Sequence, residues 1–267
     1  MPFIILWLYA GLTILVLMTL LWLYSLAIKN SSIVDIFWGM GFVIVYWAGL
    51  WTALDSTNLP PNLDLPARSV LLGSLVTVWG LRLSIHIFLR NHGQPEDFRY
   101  TAWRAEAGSA WWRRSFFKVF FLQGVILWIV ATPLIAAQTG NVRPLNLLDF
   151  FGVGVWLVGF LFEAGGDWQL SRFKKDPANK GKLLTAGLWG LTRHPNYFGD
   201  AAQWWGFYLI ALSAGAWWTV FSPILMTYLL VKVSGVAMLE KTLKTAKPGY
   251  EEYIARTSPF IPWFSKK

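Results

Sequence analysis

The densest run of chemically capable residues is Arg193-His194-Pro195-Asn196-Tyr197, followed by Asp200, Gln203 and Trp204. Asn196, Asp200, Gln203 and Trp204 recur at three- and four-residue spacing, so a helix starting beside Pro195 carries them on one polar face. Such a face entering an apolar segment is costly unless it has polar work to do. Arg193 and His194 fall next to that helix's N-terminus, whose free backbone amides favour anions. Glu163 and Asp167 are four apart and share a helix face; two stacked carboxylates require a cation or several hydroxyl and amide donors. Asp35 opens another apolar stretch after Asn30, Ser31 and Ser32, with Trp38 on its face. Structural alternatives stand beside each reading. Asp35 can serve the helix dipole, the Asn196–Gln203 face can be a hydrogen-bonded seam, Arg82 and His86 can tie a bundle together, and Lys232 can snorkel.

These residues need a scaffold, and composition decides its class. The 267 residues are 55% hydrophobic and only 14% charged, with a mean hydropathy of +0.46. A soluble domain usually carries roughly a quarter charged residues, so a polytopic membrane protein is expected. A crossing helix needs about 20 apolar residues. Seven stretches qualify: 3–27, 33–53, 69–90, 116–137, 148–168, 197–213 and 217–239. The first is too long for a removable signal and lacks a small-residue cleavage site, so it reads as a helix. Nineteen of the 23 basic residues fall between the first two stretches, in the third and fifth loops, or in the tail; the intervening connections hold only Arg68 and Arg143. The positive-inside rule then predicts an all-α bundle of seven transmembrane helices, one domain over 1–267, with the N-terminus outside and the C-terminus cytoplasmic. The net charge of +9 is thereby a topology signal, and no nucleic-acid partner is expected. Most ionisable residues within spans lie near cytoplasmic ends, which suggests a hydrated cavity opening inward.

Several chemistries are excluded. Cys is absent, which removes disulfides, thiolate nucleophiles, iron–sulfur clusters and Cys-based zinc sites. With three His in the chain, no metal centre is expected. Gly152-Val153-Gly154 continues as Val155, Trp156 and Leu157, which is helix packing and not a dinucleotide fingerprint. There is no P-loop, Gly-x-Ser-x-Gly elbow or His-Glu-x-x-His. The 18 Trp, 9 Tyr and 19 Phe exceed what one core needs and suit bilayer interfaces and flat apolar ligands.

At Arg193-His194-Pro195-Asn196-Tyr197 the chain resembles the steroid 5α-reductase family, in its bacterial branch. Supporting motifs run nearly end to end. They are Ser32-Ile33-Val34-Asp35-Ile36-Phe37-Trp38-Gly39, Trp79-Gly80-Leu81-Arg82-Leu83, Glu96-Asp97-Phe98-Arg99-Tyr100, Glu163 with Asp167, Gly249-Tyr250-Glu251-Glu252-Tyr253, and Pro259-Phe260-Ile261-Pro262-Trp263. Membrane methyltransferases of the isoprenylcysteine type share the Arg-His-Pro-x-Tyr core, so the ordered set carries the resemblance. It implies a seven-helix enzyme of the bacterial inner membrane that takes a hydride from NADPH in a cytoplasm-facing cavity. The hydride goes to C5 of a 3-oxo-Δ4-steroid, or a similar flat enone lipid, entering from the bilayer.

By matching motifs, Asn91, Glu163, Asp167, Lys174, Asn196 and Asp200 would line the cofactor, with Arg99 and Tyr100 as further contacts. Arg193, His194, Tyr197 and Trp204 would flank the pocket, and Glu240 would close it. In animal members a Glu and a Tyr polarise the 3-oxo group; the nearest matches are Asp35, which becomes the catalytic acid if protonated, and Trp79. An indole N–H donates a hydrogen bond but no readily transferred proton, a departure from the family pattern. Trp38, Trp79 and Trp204 would meet the substrate. The expected partners are that lipid and the membrane, with no obligate protein partner. Two other readings stay open: a SAM-dependent membrane methyltransferase, and a non-catalytic sterol binder or transporter. The latter normally shows paired repeats around the midplane, and none is evident.

Overall fold

The computed structural model describes residues 1–55, 66–139, 144–233, 235–236, 240, 243 and 247–264. The Pro-rich connection at 56–65, Arg143, the end of the 217–239 stretch, Lys241, Lys244, Lys266 and Lys267 lie outside them. Among the described residues the secondary structure is helical, apart from a single parallel bridge between Thr192 and Ser258. The chain divides into two compact units, residues 1–145 with 214–219, and residues 146–213 with 220–267.

The first unit begins with α1 (Phe3–Ile28), α2 (Ile33–Asp55) and α3 (Ala67–Asn91). In α1 only one stripe is buried, Leu6, Ala10, Ile14, Met18, Leu21 and Ser25. Leu8, Leu12, Val16, Leu20 and Leu23 are exposed and equally apolar. A helix that is hydrophobic all round is at home in lipid. Lys29, in the left-handed conformation, ends it. Helices α2 and α3 touch through backbone: a Cβ on Gly80 would sit 2.6 Å from Gly39 O. Next come α4 (Phe98–Ala107), a π-helical turn over Phe116–Phe121, α5 (Leu122–Val130) and α6 (Thr132–Thr139). The axis bends by 41° between Val130 and Thr132, where Pro133 removes a backbone donor.

The second unit is organised by α7 (Leu147–Lys175) and α8 (Pro195–Ser213), followed by α9 (Phe221–Tyr228) and α10 (Tyr250–Arg256). Asn146 and Asp149 form a capping box on α7. Asp149 also accepts from Ser213 Oγ at 2.8 Å, tying the start of α7 to the end of α8. Arg172, Lys174 and Lys175 occupy the last turn of α7, where they complement its dipole. Gly152, Gly159 and Gly166, seven apart, line one edge of α7 and meet Gly206, Gly199 and Pro195 of α8. Small residues at heptad spacing let two backbones touch.

Among the described residues, four helices are long and apolar enough to cross a membrane: α1, α2 (as Ile33–Leu54), α3 and α7. A fifth span results if Phe98–Val130 and Thr132–Thr139 count as one. Two of the seven expected stretches differ. Residues 197–213 belong to α8, whose Asn196, Asp200 and Gln203 dilute its apolar character, and Trp217–Val233 is a shorter apolar helix.

Candidate active site

In the first unit, the start of α2 is clamped by the segment entering α4. Glu96 Oε1 accepts from Ser31 N at 2.6 Å, and Ser32 Oγ accepts from Asp97 N at 2.8 Å. Arg104 holds the same Glu96 at 2.7 Å. This clamp lays the first turn of α4 over Asp35. Tyr100 Oη donates to Asp35 Oδ1 at 2.7 Å, and Arg99 Nη2 donates to Asp35 Oδ2 at 3.2 Å. Arg99 also donates through N and Nε to Asp97, both at 2.9 Å. Burial alone would raise the Asp97 carboxyl, but these bonds and the guanidinium charge hold it below the usual carboxylate range. Gln123 Nε2 donates to Tyr100 Oη at 3.3 Å, completing a line Gln123–Tyr100–Asp35.

Trp38 packs edge-on against Phe42, whose ring centroid lies 5.6 Å from that of Trp79. Trp79 is fully buried there, while Trp38 keeps some exposure. Asn91 is the last residue of α3 and accepts from Arg90 Nε.

The second unit supplies the amide donors that two stacked carboxylates require. Gln203 Nε2 donates to Glu163 Oε2 at 2.5 Å, and Asn196 Nδ2 donates to Asp167 Oδ1 at 3.2 Å. Glu163, Asp167, Asp200 and Gln203 are all buried. Gln203 Oε1 is buried without a hydrogen-bond partner. Trp204, one residue on, is fully buried against Phe207. Lys174 lies at the exposed end of α7.

The Arg193–His194 segment is held by the tail. Arg193 N donates to Ser258 O, and Trp263 N donates to Leu191 O, both at 2.9 Å. Thr192 Oγ1 donates to Phe260 O, and Tyr253 Oη donates to Trp189 O. The Arg193 guanidinium pairs with Glu240 at 2.7 Å and donates from Nη1 to the carbonyls of Thr257 and Ile254. His194 Nε2 lies 3.4 Å from the same Glu240 oxygen, and its ring stacks on Tyr197. Burial pushes the His194 imidazole down to about 4, against the opposing pull of Glu240, so it is neutral at pH 7. Burial likewise pushes the Tyr250 phenol up to about 12.

The structure thus joins Asp35, Arg99 and Tyr100 in one unit, and Glu163, Asp167, Asn196, Arg193, His194, Tyr197 and Glu240 in two linked clusters of the other. Sequence reasoning misses the partnership of Tyr100 with Asp35 and the part of Gln123. The readable signal for Gln123 is a lone amide inside the apolar run 119–130.

No solved structure matches the chain. It is 26% identical over 279 residues to an uncharacterised protein of Schizosaccharomyces pombe, covering 92% of this chain and 77% of that one. It is 27% identical over 222 residues to the Delta(14)-sterol reductase of Arabidopsis thaliana, covering 76% of this chain and 55% of the reductase. The chain thus spans about half the length of that plant relative. A probable O-methyltransferase of Ustilaginoidea virens is 35% identical over 82 residues, covering 30% of this chain and 29% of that protein. Across residues 21–257 the chain matches the family described as protein of unknown function DUF1295, and it belongs to that family.

Proposed function

We propose that the protein is a membrane reductase of a sterol-like lipid that uses NADPH, and that its substrate carries a polarised double bond such as that of a 3-oxo-Δ4-steroid. Similarity to the Arabidopsis thaliana Delta(14)-sterol reductase over 76% of the chain supports the reaction class. The observation that carries the chemistry is the Tyr100–Asp35 hydrogen bond at 2.7 Å, with Arg99 on the second carboxylate oxygen. Reduction of an enone places negative charge on its carbonyl oxygen as C5 gains hydride, and a held donor stabilises that charge. With Asp35 protonated and donating to Tyr100 Oη, the phenol's single proton is released toward the carbonyl oxygen, and it is the transferable proton that Trp79 lacks. The chain offers Tyr100, beside Asp35, in the role of the family's Tyr.

The polar residues of the second unit suit NADPH. Gln203 Oε1 is an orphan acceptor for a carboxamide or hydroxyl donor. The carboxylates of Glu163, Asp167 and Asp200 would accept from ribose hydroxyls, and Asn196 would donate. Lys174, with Arg172 and Lys175, supplies positive charge at the end of α7 for phosphates. The bound nucleotide would supply the hydride; the protein binds, orients and polarises. Saturation of the double bond also consumes one proton, which reaches the lipid from water through the chain's own acids.

The same reading takes all seven apolar stretches as crossings, with the N-terminus outside and the C-terminus cytoplasmic, because the basic residues fall on one side. Its test uses protein purified in detergent with NADPH and a lipid panel: a 3-oxo-Δ4-steroid, a Δ14-sterol, and a saturated sterol as control. Loss of the reduced nicotinamide's near-ultraviolet absorbance that requires an unsaturated lipid supports it. Retained NADPH with no turnover on either unsaturated lipid refutes the reductase reading. A second reading, SAM-dependent methyl transfer, rests on the short O-methyltransferase match; thermal stabilisation by SAM and not by NADPH would select it.

A further inference from the structure

The first unit holds a second built feature beside the Asp35 cluster, whose Tyr100 meets the groove residue Trp103 edge-on. The connection between α4 and α5 encloses a groove of about 540 Å³. Its walls are the indoles of Trp103 and Trp111, and its rim carries Arg113, Arg114 and Lys118. The Lys118 ammonium sits over the Trp103 ring at 4.3 Å, which fixes that cation at the groove edge. Glu106 is the one acid among the lining residues; it lies 3.7 Å from Arg114 with both side chains more than half exposed. An exposed pair of that length neutralises little. The groove therefore presents a surplus of positive charge on an aromatic floor.

Its position identifies the occupant. Lys118 stands at the end of the run 119–130, apolar but for Gln123, so the three cations lie where a span meets the headgroup layer. From the groove, Phe117, Phe121 and Leu122 form an exposed apolar path along the span, at 58%, 42% and 50% exposure. Cations at headgroup depth joined to an apolar path match an amphiphile with an anionic phosphate head and acyl chains. The geometry points to a site for one anionic phospholipid, with its phosphate among Arg113, Arg114 and Lys118 and a chain along Phe117 and Phe121. A juxtamembrane basic cluster of this kind selects lipids by charge, and none of the residues involved takes part in the proposed reduction.

Native mass spectrometry of the full chain in detergent, titrated with phosphatidylglycerol or with phosphatidylcholine of the same acyl chains, tests the site. Wild type should bind one phosphatidylglycerol in preference to phosphatidylcholine. The triple change Arg113→Gln, Arg114→Gln and Lys118→Gln should weaken that binding by roughly tenfold or more. A control with Lys180→Gln and Lys182→Gln should leave it unchanged. Arg113→Lys with Arg114→Lys should retain it, which separates charge from folding. Equal affinity for the zwitterionic lipid, wild-type binding by the triple variant, or equal thermal stabilisation by inorganic phosphate alone would each overturn the assignment.

Discussion

Replacing Gly159 by Ala adds one methyl where α7 lies on α8. Its Cβ would sit 2.5 Å from Gly199 O and 2.7 Å from Gln203 N, against 3.4 Å for ordinary contact. Both neighbours are helix backbone, so relief requires the two helices to separate by about 0.7–0.9 Å. Overpacking of this kind costs about 1–3 kcal/mol, and alanine's better helix propensity offsets up to about 1 kcal/mol. Gly154 lies on the same helix, and a methyl there would meet nothing within 4 Å. Gly154→Ala should therefore gain the propensity term without the clash. Because that propensity gain is common to both, the two variants should differ by the overpacking cost, about 1–3 kcal/mol, or about 2–12 °C in melting temperature for a chain of this size. The separation also acts on the polar pairs: Glu163–Gln203 at 2.5 Å and Asp167–Asn196 at 3.2 Å would both stretch toward or beyond the hydrogen-bonding range. NADPH retention through gel filtration should then fall in Gly159→Ala and stay normal in Gly154→Ala. If Gly159→Ala melts within a degree of Gly154→Ala and retains the nucleotide, the glycine seam does not position the carboxylates.

Three more outcomes are expected. His194 binds its proton near pH 4 when folded and near 6.5 when unfolded, so between those values the unfolded state holds more protons and stability falls as pH falls. The full effect is about 3 kcal/mol; melting curves in detergent should steepen their decline from pH 6.5 to 4 in wild type, and His194→Gln should flatten it. Tyr100→Phe should lower turnover at least about tenfold while leaving NADPH retention intact; equal loss of both would make Tyr100 a structural residue. Because Cys is absent, single-cysteine variants report topology directly: Leu147→Cys should react with an impermeant thiol reagent in intact cells, and Ser109→Cys and Lys180→Cys only after permeabilisation.

The legible and illegible parts of the molecule divide by how local their cause is. Glu163 and Asp167 are readable as a pair needing donors because helical spacing stacks them, and Gln203 and Asn196 are readable because they share one face of the facing helix. The glycine seam is only half readable. Gly152 does pack against α8, but its neighbour Gly154 faces open space, and the informative repeat is Gly152, Gly159 and Gly166. Tyr100 shows the limit most clearly. Motif matching sets it beside the cofactor and is silent on the bond its hydroxyl makes to Asp35, which forms because Glu96 and Asp97 anchor α4 on the start of α2. That contact joins residues 65 positions apart, and no periodicity encodes it. Spans are hard to count from sequence for a related reason: a helix such as α8 carries its polar face inside the apolar stretch that would identify it.

Arg193, which the motif sets beside the cofactor, already has its donors engaged within the protein. A cation beside Pro195 reads naturally as a phosphate ligand at a helix N-terminus. A guanidinium has five N–H donors, and here Nε and Nη2 face Glu240 while Nη1 serves two tail carbonyls. Its charge is matched by Glu240, and the side chain is buried. Diverting it to a phosphate would leave Glu240 unpaired and two carbonyls unsatisfied, a penalty of several kcal/mol. Arg193 is therefore better suited to organise the site than to bind in it: it ties residues 254–257 and Glu240 to the turn from which α8 starts, and so sets where Asn196 and Asp200 project. Under the proposed function the cations for a dinucleotide's phosphates come from elsewhere, and the last turn of α7, with Arg172, Lys174 and Lys175, is the basic segment next in sequence to the Glu163–Asp167 face. Arg193→Lys, which keeps the charge and loses the fork, should disturb the tail and the stability of the second unit more than Lys174→Gln does. Lys174→Gln should chiefly weaken nucleotide affinity and its salt dependence.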